Sequence, residues 1–328
     1  MKNKTKVISI VLFLLSAILS YINAEEKIKT LKIKNIFPTE EEMLKDEFVL
    51  GKGINFEIYK NKIYFCSQFE DEIVVFDIDG NYLARIGNLG QGPGDFSRPL
   101  DIFIYKDKIF ISDNGNARIQ VFSLDGEFER QIKIINIMSD FVILNDKIFM
   151  LSADRTGFID RNNAYIFKIF NMEGELLKNI KKSFTSKYNN FIYDNQVILR
   201  LVNNSIHCLQ QYGTTYRIYN DNGELQKEFH LSLNPLEDKE YKKIKYLWAY
   251  KTFCVDDNKI FASYVGKGKI VIDVFAMEGK YLFSYLNNQN NNELYSISDM
   301  KIIKRNKKKY IYLLLTKPDM YFIIAELE

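Results

Sequence analysis

Five glycines recur along this chain in one local frame, and that repeat limits the fold more than any other feature. Gly80, Gly126, Gly174, Gly223 and Gly279 are spaced 46, 48, 49 and 56 residues apart. Each follows an aromatic residue by four positions and precedes a mixed strand-like run. The copies read FDIDGNYLARI from Phe76, FSLDGEFERQI from Phe122, FNMEGELLKNI from Phe170, YNDNGELQKEF from Tyr219 and FAMEGKYLFSY from Phe275. A glycine between alternating apolar runs marks a hairpin, since the tight turn needs a positive φ that glycine adopts without a Cβ penalty. A period of this length means stacked units, none of which buries its apolar face alone.

A second hairpin precedes each glycine turn. In EIYKNKIYF (Glu57–Phe65), IFIYKDKIF (Ile102–Phe110), FVILNDKIF (Phe141–Phe149), FIYDNQVIL (Phe191–Leu199) and FCVDDNKIF (Phe253–Phe261), a polar turn separates apolar strands. A sixth, KIIKRNKKKYIYLLL (Lys301–Leu315), leads into MYFIIAELE. Each unit therefore has four antiparallel strands, a to d in chain order, with tight a–b and c–d turns. Six such units predict an all-β chain, a six-bladed β-propeller of four-stranded antiparallel blades. The sixth unit ends after strand c, whereas KIKTLKIKNI (Lys27–Ile36) alternates and has no unit of its own. That N-terminal strand is expected to lie beside the last strand c, closing the ring and covering an aggregation-prone edge.

The stretch NLGQGPGDFS (Asn88–Ser97) offers a choice between a phosphate cradle and a joint between blades. A nucleotide-binding glycine loop needs a helix after it, whose N-terminal amides meet the phosphate. Here Pro99 and a strand follow, and Asp95 stands where the motif beginning at Gly90 needs its last glycine. The joint is the expectation. With its surroundings, Ile86–Phe128, this stretch resembles an NHL repeat. The matching positions are Gly92-Pro93-Gly94, Phe96, Pro99, Asp113, Asn116 and Arg118-Ile119. The likeness is confined to this one repeat; blade 1 has Ser67, Glu70 and Glu72 at the Asp, Asn and Arg positions. It implies a bacterial exported six-bladed propeller, in which Asp113, Asn116 and Arg118 hold their own loop rather than touch a ligand.

Residues 1–24 stand apart: three lysines, the apolar run VISIVLFLLSAILSYI, then Asn23-Ala24 before two acids. This pattern predicts a secretory signal peptide followed by a single propeller domain over 25–328, not membrane-embedded once cleaved, and so periplasmic or secreted. Without the leader's three lysines, 42 basic residues face 42 acidic ones. A neutral chain argues against nucleic acid, whose binding depends on neutralising phosphates. The run Lys304–Lys309 then reads as a solvated turn. Cys66, Cys208 and Cys254 are odd in number, far apart and set in apolar runs, so they read as small buried hydrophobes. A monomer is expected.

In an up-and-down blade the a–b and c–d turns share one face, and the b–c and d–a connections the other. From the start of strand b to the strand-c aromatic, the separation is 14 residues in units one and two, 23 in three and four, and 16 in five. The second face also carries Asn287–Glu293 and the insert Asn234–Trp248, whose capping pattern predicts a short helix. Irregular connections on one face of a rigid repeat protein mark its binding side. Candidate contacts there are Arg98, Arg155, Arg161, Tyr212, Trp248 and Tyr264, residue types suited to a protein, peptide or glycan partner.

Catalytic chemistry has little footing. The two histidines, His207 and His230, are not in a ligand-spaced motif, and no nucleophile motif is present. The reading is a non-catalytic binding scaffold without a cofactor. The alternative is a calcium-dependent lactonase or hydrolase centred on the channel, with Asp101, Asp140 and Asp299 at the starts of inner strands as candidate oxygen ligands.

Overall fold

A computed structural model describes residues 27–45, 50, 53–134, 140–151, 165–181, 197–232, 250–289, 291, 293–317 and 319–328. Its six sheets are antiparallel blades in chain order. The first is typical: Asn55–Tyr59, Lys62–Ser67, Glu72–Asp77 and Tyr82–Ile86, bonded in that sequence. Strands a face the central channel and touch one another around it: Asn55–Tyr59, Pro99–Tyr105, Phe141–Leu144, Val197–Val202, Tyr250–Asp256 and Leu294–Arg305.

Two turn chemistries build every blade. All six a–b turns are two-residue turns with positive φ at both positions, from Lys60-Asn61 (47° and 60°) to Asn306-Lys307 (51° and 65°). That is the turn whose twist matches the twist of paired strands. The c–d turns are longer than a two-residue hairpin. Gly80, at φ 98°, closes a loop in which the Asp77 amide donates to the Asn81 carbonyl at 2.8 Å, and the pairing shifts by one residue beside Phe76. The aspartate at the end of strand c then accepts from two backbone amides, Asp79 and Asn81, both at 2.9 Å. Asn171 and Asn220 repeat this in blades three and four. The glycine period is thus a period of bulged turns.

The apolar core is divided into six clusters, one between each adjacent pair of blades. Alternation along strands b and c places apolar side chains on both sheet faces, so each blade is sandwiched by its neighbours. The three cysteines are free and buried within these clusters.

Ring closure differs from expectation in one respect. Lys27–Ile36 does not act as one strand. Lys32–Phe37 pairs antiparallel with Tyr321–Leu327, supplying the missing fourth strand of the last blade. Ile28–Thr30 pairs parallel with Tyr281–Asn288 and adds a fifth strand to the blade before it. Buried Leu31 lies at the crossing, its amide on the Leu286 carbonyl at 2.9 Å. Phe37 then fills the joint between blades six and one, stacked on Phe322 with ring centroids 5.0 Å apart.

Blade four corrects a second expectation. Phe191–Leu199 is not its a–b hairpin: strand a is Val197–Val202, the turn is Asn203-Asn204, and strand b is Ser205–Gln210. Its b–c connection is therefore short, and the additional length falls in the d–a connection before it, on the same face of the ring. Arg200, a charge within an otherwise apolar strand, hides this hairpin in the sequence.

Candidate functional site

Side chains from the inner strands form a closed circuit of polar contacts around the channel. Asn55 of blade one donates from Nδ2 to Oδ1 of Asp101 in blade two. Oδ2 of Asp101 accepts from the Phe141 amide of blade three at 2.7 Å. Asp140, just ahead of that strand, lies 4.0 Å from the Arg200 guanidinium of blade four. Arg200 donates to the Phe253 carbonyl at 3.2 Å and to Oγ1 of Thr252 at 3.0 Å, both in blade five. It also donates to Oδ1 of Asp299 in blade six at 2.5 Å. Oδ2 of Asp299 accepts from the Phe56 amide at 3.2 Å, and Lys301 pairs with Glu57 at 2.8 Å, which returns the circuit to blade one.

The electrostatics follow from burial. Desolvation pushes the Asp101 carboxyl well above the usual range, with the Asp140 charge adding to it, and raises Asp140 too. Burial likewise raises Glu57, against the pull of Lys301. For Arg200 burial opposes the charge, but Asp299 and Asp140 more than offset it and hold the guanidinium firmly protonated. Strands from all six blades are thereby tied at the hub by mutually compensating groups.

Asp101, Asp140 and Asp299 do converge on the channel, yet the oxygens of Asp101 and Asp299 already have donors and Asp140 faces Arg200. Asp101 accepts from Asn55, Ile102 and Phe141, and Asp299 from Phe56, Met300 and Arg200. Among the described residues, no group of three or more His, Cys, Asp or Glu is arranged to hold a metal ion. The circuit separates two cavities, and Asn55 and Arg200 line both. One, about 400 Å³, opens towards the a–b turns at Asn203 and Ile303. The other, about 420 Å³, lies towards the b–c and d–a connections and includes Gln211, Lys251, Ser296, Thr316 and Lys317.

Of the candidate contacts, Arg98 is exposed in the d–a connection of blade one, its own amide held by Asp71 at 2.5 Å. Tyr212 lies in the b–c connection of blade four under the Lys251 ammonium, 5.6 Å from the ring centroid. Tyr264 ends strand b of blade five and meets Tyr250 edge-on, with centroids 6.4 Å apart. The Gln211 carbonyl accepts the Tyr250 amide at 3.0 Å, so Tyr212 and Tyr264 lie in one neighbourhood. Arg155, Arg161, Trp248 and the Asn234–Trp248 insert are outside the described residues, as is the leader 1–24.

The glycine-rich stretch leads into strand Pro99–Tyr105, and no helix follows it. Asp113 organises it. Its Oδ1 accepts the Ser97 amide at 2.8 Å, and its Oδ2 accepts Arg118 Nε at 2.8 Å and Asn116 Nδ2 at 2.9 Å. Nη2 of Arg118 donates to the carbonyls of Gly92 and Asp95 at 2.7 and 2.9 Å, and Asn116 reaches the Gly90 carbonyl at 2.9 Å. These side chains help to satisfy the carbonyls of the loop. The resemblance missed Gln120, which takes the Gly94 amide at 2.9 Å. Sequence reading also missed Arg200, Lys301 and Glu57. For Glu57 and Lys301 the signal was a charged residue two positions from another polar one on an inner strand, Asn55 and Asp299; Arg200, between Ile198 and Val202, carried no such mark.

Comparison with known proteins bears on this geometry. A family model described as a domain of unknown function, DUF4934, matches residues 44–327. An exported protein from Bacteroides fragilis shares the fold at TM-score 0.61 and 13% identity, covering 90% of this chain and 94% of its own. A DUF4221 family member from Bacteroides vulgatus gives TM-score 0.60 at 13% identity, covering 90% and 96%. A virginiamycin B lyase from Staphylococcus aureus, solved with quinupristin, gives TM-score 0.51 at 12% identity, covering 85% and 83%. At these identities the likeness is one of fold alone. No curated protein matches the sequence. No helix among the described residues is long and apolar enough to cross a membrane.

Proposed function

The chain belongs to the DUF4934 family, and from that premise we propose that it is an exported, non-catalytic propeller that binds a protein, peptide or glycan through its b–c/d–a face. The observation that carries this reading is the contrast between faces. One bears six identical two-residue turns; the other bears the connections that differ from blade to blade. Tyr212, Tyr264 and Arg98 belong to that second face. The leader-like first 24 residues, and the exported Bacteroides fragilis protein of the same fold, support export to the periplasm or beyond. The loop chemistry around Asp113 supports classing blade two as an NHL-like repeat.

A panel of immobilised glycans and peptides tests the reading. The combined variant Arg98→Ala, Tyr212→Ala, Tyr264→Ala should lose whatever the parent retains, while Asp107→Ala with Asn306→Ala on the opposite face should not. Loss confined to the second variant overturns the face assignment.

The convergence of Asp101, Asp140 and Asp299 favours one second reading, a calcium-dependent hydrolase or lactonase centred on the channel. Millimolar calcium should then raise the melting temperature, and Asp140→Asn should abolish the rise. An unchanged melting curve removes this reading.

A further inference from the structure

The cavity between the polar circuit and the b–c/d–a face holds two lysines. Several lysines elsewhere sit against carboxylates: Lys60 on Asp107, Lys106 on Asp146, Lys301 on Glu57, and Lys309 on Asp256 and Asp257. Lys251 and Lys317 share this cavity, and neither ion-pairs with a described carboxylate. Lys251 is only half-exposed, and burial, with the Lys317 charge beside it, holds its ammonium below the usual lysine range. Its ammonium lies over the face of Tyr212. The only acid among the described lining residues is Asp140, which faces Arg200. Two like charges with one of them partly desolvated repel each other, and the arrangement is relieved by an anion.

We propose that this cavity binds the acid group of an acidic sugar unit, a carboxylate or sulfate ester held between Lys251 and Lys317. Hydroxyl and amide groups of Ser296, Thr316 and Gln211 line the same space and match sugar hydroxyls, while Tyr212 offers a ring face. A volume of about 420 Å³ falls within the range of small-molecule sites. The inference rests on the face assignment above and narrows its partner to a glycan with charge.

Titration calorimetry on the purified protein tests it with three probes: a uronic-acid oligosaccharide, a sulfated oligosaccharide and a neutral gluco-oligosaccharide. One or both acidic probes should bind and the neutral one should not, and which acidic probe binds identifies the acid group. Lys251→Gln and Lys317→Gln should each weaken binding at least tenfold with unchanged melting curves. Binding should weaken as salt rises. Equal binding of the neutral probe, no binding by either acidic probe at millimolar concentration, or full affinity in both lysine variants overturns the proposal. If a peptide from the panel binds through Tyr212 and Arg98 independently of both lysines, this inference fails and the face assignment stands.

Discussion

Arg200 of the fourth blade donates across the channel to Asp299 of the sixth, Nη2 to Oδ1 at 2.5 Å, and Asp299 has no solvent exposure. The pair spans a blade, so it ties together parts of the ring that share no sheet. Removing one charge leaves the other buried, a loss of about 3–5 kcal/mol, softened here because Lys301 stands 3.7 Å from Asp299. Arg200→Met should therefore cost about 3 kcal/mol in urea unfolding. Arg200→Met with Asp299→Asn should cost less than the two single changes together, because no charge is then stranded. Strictly additive losses would show that the two residues do not depend on each other.

Closure of the ring should depend on Phe37. Its ring stacks on Phe322 and meets Phe76 edge-on at 5.4 Å, in the cluster that joins the last blade to the first. Phe37→Ala should cost about 3–5 kcal/mol, the usual price of a cavity where a phenylalanine was. Ile28, 42% exposed on the additional parallel strand, should tolerate threonine with little change in melting temperature. Equal effects of the two substitutions would mean that Lys32–Phe37 does not fasten the ring.

The blade count was legible because it rests on local rules. A positive φ at Gly80, or at Lys60-Asn61, is demanded by a turn a few residues long and leaves a mark at a fixed period. The channel was legible only in part. Asp101 and Asp299 could be placed at inner strands, but their partners come from other blades: Phe141 for one, Arg200 and Phe56 for the other. Such pairings depend on the ring closing, which no local pattern encodes. Arg200 shows the cost. The expected hairpin fell at Phe191–Leu199, whereas Arg200 belongs in Val197–Val202 as a channel charge.

The glycine-rich connection should become protease-sensitive without Arg118. This side chain is 7% exposed and joins Asp113 to the carbonyls of Gly92 and Asp95. Arg118→Ala leaves Asp113 buried without its cation and strips one donor each from the Gly92 and Asp95 carbonyls, which keep only the Asp95 amide and Gln120. Limited proteolysis should then cut within residues 88–97 while the remaining blades resist. Arg118→Lys should restore only part of the protection, since an ammonium cannot reproduce the planar fork. Cleavage spread evenly over the chain would show that the residue supports the whole fold and not this loop.

His207 should leave a distinct trace in the pH dependence of stability. Buried in strand b of the fourth blade, its Nδ1 lies 2.7 Å from the Tyr216 hydroxyl, and burial lowers its pKa from 6.5 to about 4. A folded-state value below the unfolded one means stability that is present above pH 6.5 and lost as pH falls towards 4. The shift corresponds to about 3 kcal/mol across that window. Asp101, Asp140 and Glu57 act in the opposite sense: their raised values favour the folded state as they protonate, and that gain is lost as pH rises through them. The parent curve mixes both slopes, so the difference between parent and His207→Gln isolates the histidine. That difference should shrink steadily from pH 7 to pH 4 in urea titrations. A difference that stays constant over this range would mean that His207 titrates alike in the folded and unfolded chains.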